Sequence, residues 1–269
     1  MISIVRYMMP TMNSVTQIII HTFLLAFAFG TQVFSPVVST KLTGVGFFKL
    51  GTALVLGSLT LALGLDYFMA PGLSTIEWGC YLFIIVTSLI AHVTHRDDKT
   101  ILMWAIYIAQ LFAFLALVFY SMARDQQFIS FFLLSMGLLG ISNFAMILGH
   151  YYLVVPKLSE EPLIYCLYIF WTLMFLKITT SLSVICYEGL PFLQEGTTLG
   201  DGYMYNWLFI TMRILWGYVA PLILSFFTYK LCRLRSMQSA TGVLYIVEFF
   251  VIVGELISVY LMTKHGLAI

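Results

Sequence analysis

The chain has 269 residues, of which 61% are hydrophobic and 9% are charged. A soluble domain carries charge on roughly a quarter of its residues, so this composition excludes an ordinary soluble protein and indicates a chain that lies mostly in lipid. The formal net charge of +1 gives no sign of nucleic-acid binding. The four cysteines are scattered, with no CxxC or CxxCH spacing, which argues against covalent c-type haem and cysteine-rich metal sites.

Eight apolar stretches follow one another along the chain, and each is close to or above the roughly 20 residues that a transmembrane helix needs. The first is expected to be a true span, although Ala26-Phe27-Ala28 has the small-residue spacing of a signal-peptide cleavage site. The sequence therefore predicts an all-α, polytopic integral membrane protein with eight transmembrane helices. The predicted spans are 15–38, 45–68, 75–95, 101–122, 128–155, 163–187, 205–230 and 241–263.

Lysine and arginine residues in the loops predict the orientation of these spans. The loops and helix ends after spans one, three, five and seven hold eight of them, and the opposite side holds three. Cytoplasmic loops are enriched in Lys and Arg, so the first group is expected in the cytoplasm and both termini outside. The compact loops favour a bacterial inner membrane. The first group is Lys41, Lys49, Arg96, Lys99, Lys157, Lys230, Arg233 and Arg235, and the second is Arg6, Arg124 and Lys264.

An internal repeat is visible when the chain is shifted by 138 positions, which places spans three and four on spans seven and eight without a gap. Because four spans are an even number, both halves would cross the membrane in the same sense, related by an axis along the membrane normal. We predict two four-helix halves, residues 1–125 and 126–269. The aligned residues include Trp78-Gly79 with Trp216-Gly217, Tyr107-Ile108 with Tyr245-Ile246, and Gln110 with Glu248.

Charged residues inside the spans do not follow this repeat. Glu255 falls opposite Leu117, and Arg213 falls opposite Thr75. The second half therefore has a polar interior that the first half lacks, which points to the second half as the working half.

Three ionisable residues of the second half are expected at one level of the membrane. With a rise of 1.5 Å per residue, Lys177, Arg213 and Glu255 fall in the outer half of the bilayer, and His21 of span one falls there too. Charge at mid-bilayer depth costs at least about 2.5 kcal/mol unless it is paired. The functional interpretation is a pocket for a quinone or an anionic ligand, in which Glu255 exchanges protons. The structural alternative is a salt bridge that ties helices together.

Glu248 and Glu255 are seven residues apart in span eight, so they share one face of the helix and lie about 10.5 Å apart along it. Such a ladder suits the passage of protons inward from the cytoplasm, and Tyr245 and Tyr260 could extend it. The alternative is that Glu248 only reaches the cytoplasmic headgroups.

The histidines form a second candidate set. His92 closes span three and His150 lies near the same end of span five, at comparable depth. Two such histidines facing each other from different helices could hold a b-type haem. With His95 and Asp97 or Asp98 they could hold a metal ion instead. The alternative is interfacial histidines that hydrogen-bond the backbone or lipid headgroups.

The two four-helix halves and the segment Gly254-Glu255-Leu256-Ile257 in the last helix resemble the NrfD family, the quinol-interacting membrane subunits of polysulfide and dimethyl sulfoxide reductase complexes. The resemblance covers the architecture of most of the chain, and its local motif is four residues long. It implies a membrane subunit that exchanges electrons and protons with quinone for peripheral redox subunits, with Glu255 as the residue carried over. The histidine set departs from this pattern, because NrfD subunits of this kind lack haem.

The leading hypothesis from the sequence is a membrane subunit of a bacterial respiratory electron-transfer complex. At most it would be a quinone-reactive subunit of an oxidoreductase, in which Lys177 and Arg213 polarise the quinone oxygens and a b-type haem between His92 and His150 is an option. Its partners would be membrane lipids and redox subunits such as iron–sulfur or cytochrome c proteins. Two alternatives stay open: a small-solute or proton-coupled transporter, with Pro221 as the nearest candidate for an unwound segment, and a structural or assembly subunit without a ligand.

Overall fold

A computed structural model describes residues 12–37, 43–69, 74–94, 101–121, 126–154, 159–188 and 203–269. Regular secondary structure in these ranges is helical throughout, which confirms the all-α class. The first four helices are α1 (Met12–Phe34, followed by a 3-10 turn at Ser35–Val37), α2 (Val45–Met69), α3 (Thr75–Thr94) and α4 (Ile101–Ser121). The others are α5 (Gln126–Val154), α6 (Glu161–Glu188), α7 (Tyr203–Ile214), a π-helical turn (Leu215–Val219), α8 (Ala220–Arg233) and α9 (Met237–His265).

Seven helical segments within the described residues are long and apolar enough to cross a membrane, as a multi-pass membrane protein requires. One of them is continuous from Trp207 to Arg233, through α7, the π turn and α8. The remaining predicted span coincides with α4, whose described apolar stretch, Trp104–Phe119, is shorter. Large apolar side chains on the outer surface, such as Phe112 and Phe175, are about 70% exposed, as expected of residues that face acyl chains.

Helix packing follows the same order in both halves of the chain. In the first half α1 packs on α2, α2 on α3, α3 on α4, and α4 returns to α1. In the second half α5 packs on α6, α6 on α8, α8 on α9, and α9 returns to α5. The halves join where α1 contacts α5 and α9. Gly30 and Gly140 make the closest approach between α1 and α5, since a Cβ on either would overlap the backbone of the other helix.

The π turn interrupts the long helix formed by α7 and α8. Pro221 has no N–H to donate to the carbonyl of Gly217, and its ring crowds that carbonyl. The N–H of Ala220 instead reaches the carbonyl of Leu215, five residues back, which is the π-helical bond. The turn packs tightly on α9, because a Cβ on Gly217 would lie 3.3 Å from the Cα of Gly254. Glycine at both positions therefore allows the close contact.

The segment after α9 folds back onto the helices. Gly266, at φ 69°, ends α9 in the left-handed conformation that favours glycine. The chain then turns so that Leu267, Ala268 and Ile269 are buried, with Leu267 and Ile269 in an apolar cluster that includes Ile210 of α7. The main-chain oxygen of Ile269 thereby reaches the site described below.

Six of the charged residues used to predict the orientation lie outside the described residues, and so do three candidate metal ligands that follow α3. The orientation stays a prediction. These residues are Arg6, Lys41, Arg96, Lys99, Arg124 and Lys157, together with His95, Asp97 and Asp98.

Candidate functional site: a buried charge cluster in the second half

A polar seam runs between the antiparallel helices α5 and α9. On each helix the positions that form the seam are seven residues apart, which keeps them on one face. The register is fixed at one end by the hydroxyl of Thr241, which donates to the carbonyl of Gly149 at 2.8 Å. The three layers of the seam are Thr241 with Gly149, Glu248 with Ser142, and Glu255 with Ser135.

The Glu255 layer brings together three of the residues predicted from the sequence. The Lys177 ammonium of α6 donates to the Glu255 carboxylate and to the hydroxyl of Ser135, and it lies 4.4 Å from the ring centroid of Phe131. Nη1 of Arg213 donates to the other Glu255 oxygen at 3.2 Å. One carboxylate therefore joins cations from two separate helices.

The other nitrogens of Arg213 are also occupied. Nη2 donates to the Tyr218 hydroxyl at 2.9 Å, and the guanidinium carbon lies 4.2 Å from the centroid of that ring. Nε donates to the carbonyl oxygen of Ile269 at 3.2 Å, which also accepts from Ser258 at 2.6 Å. The Tyr218 hydroxyl in turn lies 2.6 Å from the hydroxyl of Ser181. Tyr218 and Ser181 were not identified from the sequence, because their side chains carry no charge and lie among many similar residues. The main-chain oxygen of Ile269 was not identified either, because its position depends on how the segment after α9 folds back.

We call Lys177, Arg213 and Glu255, with the groups bonded to them, the charge cluster. The three charged side chains are at most 1% exposed. Burial of this kind is tolerated only when the charges are paired and hydrogen-bonded, as they are here. Of the two cations, Lys177 is the one that can lose a proton, because a guanidinium keeps its proton under nearly all conditions.

Glu248 lies in the middle layer of the seam and is 5% exposed. By hydrogen-bond geometry, neither of its carboxylate oxygens has a partner among the described residues. Ser142 faces it from α5, but the Ser142 hydroxyl donates to the carbonyl of Leu139 at 3.1 Å. Glu248 therefore points into the bundle and does not extend to the headgroups.

His21 does not join the charge cluster. Its Nε2 lies 2.9 Å from the Asp66 carboxylate and 2.7 Å from the Tyr81 hydroxyl, in the first half of the chain. The Tyr81 hydroxyl also donates to Asp66 at 3.3 Å. The pocket expected around all four residues stays a prediction, and the contacts of His21 lie outside the charge cluster. Its partner Asp66 is visible in the sequence as an acidic residue near one end of the neighbouring span.

His92 and His150 have separate partners. Nδ1 of His92 lies 2.9 Å from the Thr52 hydroxyl of α2, and Nδ1 of the exposed His150 lies 3.3 Å from the Tyr245 hydroxyl of α9. The two rings thus have different polar partners on different helices, and a b-type haem between them stays a prediction. Within the described part of the chain, no group of three or more His, Cys, Asp or Glu residues is arranged to hold a metal ion.

The chain matches no protein-family model, no curated protein and no solved structure. The resemblance to the NrfD family therefore stays a prediction. The fold and the site define a broader class of protein. The chain is all-helical in its described residues, has the apolar helices of a multi-pass membrane protein, and holds a buried charge cluster in its second half.

Proposed function

We propose that the protein is a proton-coupled membrane transporter of eight spans, in which the charge cluster takes up and releases a proton during each transport cycle. The observation that carries the proposal is the full burial of Lys177, Arg213 and Glu255, with one carboxylate shared by two cations. Ionisable groups at this depth are rare and are usually retained for function.

The common packing order of the halves supports the tandem arrangement of residues 1–125 and 126–269. Each half closes a ring of four helical segments in sequence order, with α4 as the eighth span and the continuous α7–α8 helix as the seventh. In transporters built from repeats, substrate and coupling sites lie near the membrane midplane, beside a discontinuous helix. The π turn gives the second half a local irregularity within its continuous seventh span, and it begins two residues after Arg213.

Proton coupling suits the closed geometry of the charge cluster. Each nitrogen of Arg213 has an acceptor within the protein, and Lys177 has two, so a bound organic molecule would have to break these bonds first. A proton needs no cavity. Loss of the Lys177 proton would leave Glu255 and Arg213 as a neutral pair and would weaken the bond between α6 and α9. Protonation would thereby be linked to the packing of two helices.

The test uses the purified chain in liposomes and measures uptake of a panel of labelled small solutes, driven by an inward proton gradient. The key variant is Lys177→Met, which removes the cation that can titrate and leaves Arg213 as the partner of Glu255. Lys264→Gln, an exposed lysine at the end of α9, is the matched control. We expect gradient-driven uptake in the wild type and the control, and its loss in Lys177→Met. Unchanged gradient dependence in a folded Lys177→Met variant would refute the proposal.

A quinone-linked subunit of a bacterial respiratory complex is the second candidate. It is favoured by the pairing of two cationic donors with one carboxylate, the groups that would polarise a quinone and take up the protons of quinol. Copurification of iron–sulfur or cytochrome c subunits, with quinol turnover that is lost in Lys177→Met, would support this candidate over transport. A chain that shows neither solute uptake nor quinol turnover would indicate a structural or assembly subunit.

A further inference from the structure

We propose that Glu248 is a binding site for one monovalent cation, either a proton or Na⁺, in the middle layer of the α5–α9 seam. The inference does not rest on transport: it would hold equally for a redox subunit.

The first observation is the contrast between the two acidic layers of the seam. Glu255 and Glu248 occupy the same face of α9, and each faces a serine of α5. Glu255 has two cationic partners, whereas both oxygens of Glu248 are buried and unpartnered. An ionised carboxylate left in this state costs several kcal/mol. A positive charge that is not a side chain of the described protein therefore has to accompany Glu248.

The second observation is the residue at the corresponding position of the first half. The repeat aligns Glu248 with Gln110, which is 1% exposed. The Gln110 amide accepts from Gln32 and donates to the hydroxyls of Thr87 and Ser88, so all its hydrogen bonds are made inside the protein. The first half thus fills this position with a neutral, satisfied group. The second half has an acid in its place, and no cationic side chain among the described residues of that half pairs with it.

The helices packed against α9 bring no counter-charge to Glu248. They are α1, α5, α7, the π turn and α8, and among the described residues the Ser142 hydroxyl is the polar group that faces the carboxylate. Along α9 itself, the nearest ionisable groups are Tyr245, one turn away, and Glu255, two turns away. The other ionisable groups of these helices whose side chains are described have contacts away from Glu248. They are His21 with Asp66, His150 with Tyr245, Tyr151 with Phe47, Tyr152 with Ser159, Tyr229 with Trp171, Lys230 over Phe226, Cys232 and Arg233 near Glu160, and Arg213 and Tyr218 in the charge cluster.

Two exposed polar groups lie near the site, at the end of α9 nearest Met237. His150 and Tyr245 are exposed and hydrogen-bonded to each other, and Tyr245 lies three residues before Glu248 on the same helix face. A cation that reaches this pair has one helical turn to cross. The site itself offers oxygen ligands only, from the carboxylate and from Ser142, which suits a hard monovalent cation or a proton and not a soft metal.

The experiment labels the purified full chain with dicyclohexylcarbodiimide, which reacts with protonated carboxyl groups in apolar surroundings, and locates the adduct by mass spectrometry. One arm lowers the pH without Na⁺, and a second arm adds Na⁺ or choline at constant pH. Glu255 is the internal control, since its cationic partners keep it ionised. Glu248→Gln, which copies the first-half residue, is the variant control and should fold.

Labelling of Glu248 that rises as the pH falls and is insensitive to Na⁺ would support the site and assign the proton. Protection by Na⁺ but not by choline would support the site and assign Na⁺. Infrared spectra and thermal unfolding provide a second measurement that does not need access for the reagent. The proposal is overturned by three results together: Glu248 is not labelled at any pH, Glu248→Gln loses no protonated-carboxyl band in the infrared spectrum, and Na⁺ does not raise the unfolding temperature.

Discussion

The sharpest stability prediction concerns Glu255→Gln in the charge cluster. The carboxylate accepts from Lys177 with one oxygen and from Arg213 with the other. Glutamine has nearly the same shape, but it offers one acceptor and an NH₂ donor. One of the two cations would therefore lose its acceptor and face a second donor, while both would lose the negative charge.

The magnitude follows from the burial of all three side chains, which are at most 1% exposed. Removal of one partner from a buried ion pair typically costs about 3–5 kcal/mol, because the remaining charge cannot return to water. Adding Lys177→Met to Glu255→Gln removes one of the stranded cations. We therefore expect the double variant to recover about 1–3 kcal/mol of the loss, as coupled neighbours do.

Unfolding of each variant in mild detergent, followed by circular dichroism against added denaturing detergent, measures these differences. Glu161→Gln is the matched control, an exposed acid at the first turn of α6, and it should cost less than about 1 kcal/mol. A Glu255→Gln loss no greater than that of Glu161→Gln would refute the assigned role of the cluster. Failure of Lys177→Met to recover any stability would refute the charge argument specifically.

Further predictions concern other parts of the fold. Gly254→Ala should cost about 1–3 kcal/mol in thermal unfolding, because its Cβ would overlap the π turn, whereas Gly242→Ala on the same helix has open space and should be neutral or stabilising. Asp66→Asn should cost about 1 kcal/mol, and wild-type stability would contradict its pairing. The pKa of Glu160 is held low by its own backbone amide and then by Arg235, so Arg235→Ala should raise it in an NMR titration without a measurable change in stability.

The membrane level of the charged residues could be predicted from the sequence. Helical rise is fixed by backbone hydrogen bonds, so counting residues placed Lys177, Arg213 and Glu255 at one depth, and the structure brings them into contact. The same count placed His21 at that depth, but its partner is Asp66. Depth gives the level of a side chain and not the direction in which its helix faces. Pro221 marked the interruption of the seventh span in the sequence. The π-helical form of the interruption, and the close packing of Gly217 on α9, are seen only in the structure.

The two acidic residues of α9 show what the sequence determines and what the tertiary structure determines. The sequence alone determined that Glu248 and Glu255 share a face of one apolar helix, because their spacing and the helical period are local properties of the chain. Only the tertiary structure decided that two cations from α6 and α7 reach Glu255 and that none among the described residues reaches Glu248. The physical reason is that lateral neighbours in a helix bundle are selected by packing between segments far apart in sequence, which no local pattern encodes.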